Sequence, residues 1–270
     1  MKFLQKLSGA ALLSAALLFT ACQKDKDPAN AITPITKTNQ KTCKLIKAIS
    51  NDMSFEAYTY DNNGKVIKIK LFDGNYNKYS HFLTYTYNSA GKAAEEIKFT
   101  ADSIAIRKRV FIYNANNLLT RIDYYSGQNQ PLGYTAFQHN AAGQRILKRE
   151  YWGTPDTLFR YTQYTYQQNL VKEKEYNALT TPAALLDSAE IYYDNKRSVN
   201  SALGYLDEYY PELEKHNVIA RRWGFSANNN TWQNSLTSYQ YDSLNYPTEA
   251  HNHGNATQGI NIVTYEYNCQ

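Results

Sequence analysis

The chain has 270 residues, 43% hydrophobic and 14% aromatic, with 25 Tyr against 2 Met. That length suits one large domain or two small ones, and so many bulky rings exclude a disordered chain, because they can bury area. The formal charge of +5 is spread over interspersed Lys and Glu, which gives no basis for a nucleic-acid partner.

Lys2 and Lys6 make a basic start, and Leu7 to Phe19 is an apolar core too short to span a bilayer. Phe19-Thr20-Ala21-Cys22 resembles a bacterial lipobox, with Phe where Leu is usual three places before the cysteine. The resemblance implies a signal peptide over 1–21 and lipidation of Cys22, hence a membrane partner through an N-terminal lipid. Residues 22–42 are polar, with two prolines, and read as a flexible tether. The Lys-Asp run after Cys22 is similar to the export signal of surface-exposed lipoproteins of Bacteroidota. An outer-membrane, cell-surface location is expected, with a periplasm-facing one as the alternative.

From residue 43 to 270 one domain is expected, built from a repeat of about 26 residues. Tyr60-Asp-Asn-Asn-Gly64, Tyr87-Asn-Ser-Ala-Gly91, Tyr113-Asn-Ala-Asn-Asn117 and His139-Asn-Ala-Ala-Gly143 share one pattern, with later forms starting at Tyr166, Tyr193, Tyr241 and Tyr267. Tyr and Thr favour strands, Asp and Asn favour turns, and Gly or Asn supplies the left-handed residue that closes a short hairpin loop. Each first strand carries a same-face aromatic pair such as Tyr58/Tyr60 or Tyr85/Tyr87, read as sheet-building rather than ligand-stacking. A second strand follows each turn, as in Val66 to Phe72. The interval from Tyr193 to Tyr241 is nearly two periods. Within it Leu203, Leu206, Tyr210 and Leu213 are spaced as on a short helix, broken by Pro211, so 201–215 reads as a helical insertion.

Tyr60-Asp61-x-x-Gly64-Lys65-Val66 resembles the tyrosine-aspartate repeat of Rhs-type and teneurin-type proteins, which build sheets from successive hairpins. Overall the chain is similar to Bacteroidota lipoproteins whose repeat domains have no assigned activity. The resemblance implies an all-β antiparallel hairpin array. It carries no toxin-shell role, since the repeats are few and no toxin domain follows.

Repeat phase makes Cys43 the start of a second strand and Cys269 the end of a first strand. Side by side they complete one more hairpin, with a Cys43–Cys269 disulfide in place of its turn; export makes that disulfide plausible. The sheet is therefore expected to close, as a wide or flattened barrel or a strongly coiled sheet of about 16 to 18 strands.

Chemistry is sparse. His251 and His253 share a strand face but lack an evident third ligand, so no metal site is expected. No phosphate loop, nucleophile elbow or Cys/His pair occurs, and neither a cofactor nor catalysis is expected. Trp152, Trp223 and Trp232 are the stacking candidates for a glycan or peptide. The expectation is a monomeric, non-catalytic binding module. A scaffold for an envelope protein is the alternative, and a glycan hydrolase comes third.

Overall fold

The computed structural model describes residues 43–153, 157–200, 216–225, 232–254 and 260–269. Leader, tether and the expected helix over 201–215 lie outside them. Residues 41–270 form one compact unit. Its strands are β1 (Cys43–Ser50), β2 (Phe55–Tyr60), β3 (Val66–Asp73), β4 (Lys78–Tyr87), β5 (Ala93–Thr100), β6 (Ala105–Tyr113), β7 (Leu119–Ser126) and β8 (Pro131–His139). Then come β9 (Arg145–Trp152), β10 (Thr157–Gln167), β11 (Leu170–Asn177), β12 (Ala184–Tyr193), β13 (Val218–Phe225), β14 (Trp232–Tyr241), β15 (Pro247–His253) and β16 (Asn261–Cys269). Every strand pairs antiparallel with its sequence neighbour, and β1 pairs with β16, so the sheet closes as a 16-stranded barrel.

Closure follows the repeat phase. Cys43 faces Cys269 at the head of the β1–β16 ladder, and the two are disulfide-bonded across a sequence separation of 226. The barrel thus has two unlike mouths. At the motif mouth lie the turns after Tyr60, Tyr87, Tyr113, His139, Tyr166 and Tyr241, with the disulfide replacing one more turn. At the opposite mouth lie the connections β1–β2, β3–β4 and so on to β15–β16.

The motif turns are held by their second residue. Asp61 Oδ1 accepts from the backbone N–H of Asn63 and Lys65, at 2.9 and 2.8 Å. Asn114, Asn140 and Asp242 make the same pair of bonds, which is why Asp and Asn interchange there. The fifth motif residue is left-handed: Gly64 at φ +79°, Asn117 at +57°, Asn245 at +64°.

The repeat tyrosine does a second job. Tyr60, Tyr87, Tyr113 and Tyr166 each donate their hydroxyl to a carbonyl of the preceding strand, those of Leu45, Val66, Ala93 and Arg145, at 2.5 to 2.9 Å. Tyr239 does the same to Val218, at 3.1 Å. These bonds join hairpins that share no turn at this mouth. Phe could not make them, and each is worth about 1 kcal/mol.

Opposite Tyr60, Tyr87 and Tyr113 the second strand carries a β-bulge, whereas β11 pairs with Tyr166 without one. Tyr60 pairs with Val66 while Thr59 pairs with Lys68, so Ile67 is left over and points outward, 37% exposed. Ile46, Ala94, Thr120, Ile146, Ile219 and Thr248 are skipped in the same way. The bulge lets residues three apart face inward together, as Val66 with Ile69 and Leu119 with Ile122, all buried. Apolar clusters about Ile69, Ile122 and Ile191 fill the lumen near the motif mouth.

The outer wall is polar at mid-strand. Lys108 pairs with Glu95 at 3.9 Å, Arg121 with Asp123 at 2.5 Å, and Lys172 with Glu190 at 3.2 Å. A barrel that spans a bilayer shows lipid an apolar band about 25 Å tall, and each mid-depth Lys or Arg costs about 2–4 kcal/mol there. These ion pairs interrupt any such band. Among the described residues no helix is long and apolar enough to cross a membrane either.

Candidate functional site

The lumen is filled unevenly, for a reason visible strand by strand. At the two inward positions beyond the bulge, β5 places Glu96 and Lys98, β7 Ile122 and Tyr124, β9 Lys148 and Glu150, and β13 Arg221 and Trp223. There β1 has Ala48 and Ser50, and β15 has Ala250 and Asn252. Large side chains close one half of the lumen. Small ones leave a cavity in the other.

The closed half is knitted by ions. Glu96 is 1% exposed, takes Arg109 Nε at 2.8 Å, pairs with Arg109 Nη2 as well, and accepts the Tyr85 hydroxyl at 2.7 Å. Across it, Arg160 bridges Glu150 at 3.2 Å and Glu175 at 3.0 Å. Behind them a small cavity of about 100 Å³ is lined by Thr162, Glu173, Asp187 and Arg221, among others. Burial pushes the Glu173 carboxyl up to about 7, against the pull of Arg221 and Lys148. Asp187 is raised for the same first cause.

The open half holds a cup of about 500 Å³, within the range of small-ligand sites. Its lip is Ser50, Ser54, Asp73 and Ser80, from the ends of β1 and β3 and the start of β4, so it opens at the mouth opposite the motif turns. Its wall carries Tyr58, Tyr239 and Tyr265, and its floor Ser198, Val199 and Asn217. The floor is anchored: Asn217 donates to Asp194 and to the Arg197 carbonyl, and the Tyr241 hydroxyl pairs with Asp194. Val199 packs on the apolar cluster about Leu45.

Glu56 and Asp73 give the cup two carboxylates, and the described lining includes neither Lys nor Arg. Tyr58 donates to Glu56. The phenol of Tyr265 is pushed up to about 12 by burial first and by Glu56 second, so it stays a hydroxyl donor throughout the physiological range. The arrangement offers hydroxyls, amides and carboxylate acceptors along ring faces. It suits a neutral polyhydroxylated ligand and repels an anionic one.

The three tryptophans do not meet. Trp152 is 48% exposed and stacks on Tyr124 at 6.0 Å, over Gly133, the residue paired with both. A Cβ on Gly133 would stand 2.1 Å from the Tyr151 carbonyl oxygen, so no larger residue fits. Trp223 lies inside, against the cluster about Ile191. Trp232 lies on the outer wall beneath Arg222, whose guanidinium is 4.5 Å from the ring. His251 and His253 are on the outer wall, with His251 bonded to Glu249, and no group of three metal-ligating side chains occurs among the described residues. The cup residues were not singled out by sequence. The signal was there, in the drop to Ala48 and Ser50 at positions where other repeats carry large residues.

No family model and no curated protein matches the chain. Solved structures do. A porin-like protein from Bacteroides uniformis superposes with a TM-score of 0.54 at 9% identity, covering 83% of this chain and 96% of its own. A porin-like protein from Bacteroides vulgatus gives 0.39 at 15% identity, covering 83% and 99%. The TcdB2–TccC3 complex gives 0.23 at 12% identity, covering 76% of this chain and 15% of that one. The first shows the fold, a barrel of comparable length; the other two scores are too low to carry an argument.

Proposed function

We propose that this chain is an envelope lipoprotein whose YD-like hairpin repeats form a water-bathed, non-catalytic barrel that binds a neutral saccharide. The observation that carries the reading is the cup: about 500 Å³, tyrosine-walled, hydroxyl-lipped, bearing carboxylates but neither Lys nor Arg among its described lining. The leader and Cys22 support lipid anchoring, and the mid-strand ion pairs of the outer wall argue that the lipid, rather than the barrel, holds the protein to the membrane.

Calorimetric titration with neutral and acidic oligosaccharides tests the reading. Neutral ones bind, acidic ones bind at least about ten-fold more weakly, and Ala48→Trp, which fills the cup, abolishes binding. Binding that survives Ala48→Trp but is lost in Trp232→Ala would move the site to the outer wall. Release of new reducing ends would replace binding by hydrolysis. Absence of saccharide binding together with co-purification of one envelope protein would favour the scaffold.

A further inference from the structure

The mouth that holds the cup is ringed by exposed apolar tips. Met53 on the β1–β2 turn is 70% exposed, Tyr76 on β3–β4 72%, Ile104 on β5–β6 63%, Leu179 on β11–β12 57%, and Ile260 before β16 48%. The β7–β8 turn is polar, with Leu132 just beyond it, 38% exposed. Tips at the motif mouth are mostly Asn, Ser, Ala and Gly, with Gln168 on the β10–β11 turn and a half-buried Leu244 on the β14–β15 turn. Met53 also sits at φ +64°, where the motif turns use Gly or Asn and where a residue like Met costs about 1 kcal/mol. Nothing in the barrel's own packing recovers that cost, since the side chain is in solvent.

Two further features select the occupant. Lysines lie over aromatic rings at this end, Lys47 over Phe55 at 4.3 Å and Lys78 over Tyr76 at 5.6 Å, as Lys44 and Lys65 lie over Tyr60 and Tyr87 at the other. Rings with ammonium groups beside apolar tips are the composition of a lipid–water interface. The tips are also dispersed around a circle on the order of 25–30 Å across. A protein partner concentrates its anchors in one central patch, whereas a planar lipid surface accepts a ring.

We propose that this mouth seats on the lipid–water interface of a bilayer, tips in the headgroup layer, with the cup opening onto the headgroups. The 20 residues between Cys22 and Cys43 reach up to about 70 Å when extended. That exceeds the roughly 30 Å height of a strand of this length, so a lipid on Cys22 is compatible with β1 entering from the far mouth. A saccharide that reaches the cup then arrives as the head of a membrane glycolipid; this last step alone rests on the saccharide reading.

Vesicle flotation tests both steps. Residues 41–270 serve as the probe, because all sixteen strands and both partners of the disulfide lie within them. Binding to phosphatidylcholine vesicles containing phosphatidylglycerol is expected, falling about five-fold or more in Met53→Ser/Tyr76→Ser/Ile104→Ser/Leu179→Ser. It is unchanged in Ile46→Ser/Ile67→Ser/Ile146→Ser/Ile219→Ser, which removes exposed isoleucines at the motif mouth. Melting curves confirm that both variants fold; should either fail to, its single substitutions replace it. No binding by the unaltered barrel, or equal loss in both variants, overturns the seating. Doping the vesicles with a glycosylated diacylglycerol strengthens binding of the unaltered barrel but not of Ala48→Trp. Equal binding to doped and undoped vesicles overturns the glycolipid step and leaves the seating intact, while soluble-saccharide titration reports on the cup independently.

Discussion

The two mouths of this barrel are made by alternate connections of the same sheet; both cap turns with a side-chain oxygen, as Asp61 and Asn114 do at one and Asp73 and Ser126 at the other, but they differ in what their tips expose. At the motif mouth the turns after Tyr60, Tyr87 and Tyr113 are capped by an Asp or Asn side chain, closed by Gly or Asn, and tied to the neighbouring hairpin by a tyrosine hydroxyl. At the cup mouth the connections carry Met53, Tyr76, Ile104 and Leu179 into solvent. The first set of residues is explained by the fold. The second contributes little to it. Stability is invested at one end and surface chemistry at the other, which is the ordinary division between scaffold and binding loops, here turned into a division between the ends of a cylinder.

The largest expected loss is at the disulfide. Cys43→Ser/Cys269→Ser removes the motif mouth's closing link, and the loop-entropy relation puts the loss at up to about 5 kcal/mol for a loop this long. Urea denaturation with and without reductant measures it. Retention of full stability would mean that the β1–β16 ladder closes the barrel unaided.

Midway along the lumen, Glu173 is next in size. Its carboxyl is held neutral up to about 7 in the fold, against a usual 4.5. Folding therefore takes up a proton between those values, so stability falls as pH rises through that window, and the penalty is complete above it. Glu173→Gln is expected to raise stability by about 1–3 kcal/mol at pH 8 and by little near pH 4.5. A gain that is the same at both pH values would refute the assignment.

Smaller effects set the two mouths directly against each other. Tyr87→Phe removes the hydroxyl from the Val66 carbonyl and should cost about 1 kcal/mol. Tyr76→Ser or Ile104→Ser should stay within about 0.5 kcal/mol. Thermal melts compare them, and a tip substitution as costly as Tyr87→Phe would show that the tips are structural. Smallest of all, Met53→Asn should gain about 0.5–1 kcal/mol by relieving the left-handed backbone while weakening vesicle binding. Opposite signs in one substitution would mark Met53 as kept for its surface. Equal signs would not.

Much of the fold was legible in the sequence. Tyr60-Asp61-Asn62-Asn63-Gly64 and its copies located the hairpins, and the phase of Cys43 and Cys269 anticipated closure. The bulges were not legible. Simple alternation places Val66 and Ile69 on opposite faces, yet both are buried, because a skipped residue such as Ile67 is set by pairing with the next strand rather than by its own neighbours. The placing of the tryptophans was not legible for the same reason: register distributes Trp152, Trp223 and Trp232 to the lumen rim, the lumen and the outer wall.

Local chemistry needs only a few consecutive residues, so the sequence by itself determined the turns, the repeat and the phase of its ends. Tertiary structure decided what depends on going once around the barrel. Ala48 and Tyr239 become walls of one cup only when closure sets β1 beside β16. Met53, Tyr76, Ile104 and Leu179, up to 126 residues apart in sequence, become one ring only because every second connection of a closed antiparallel sheet emerges at the same end.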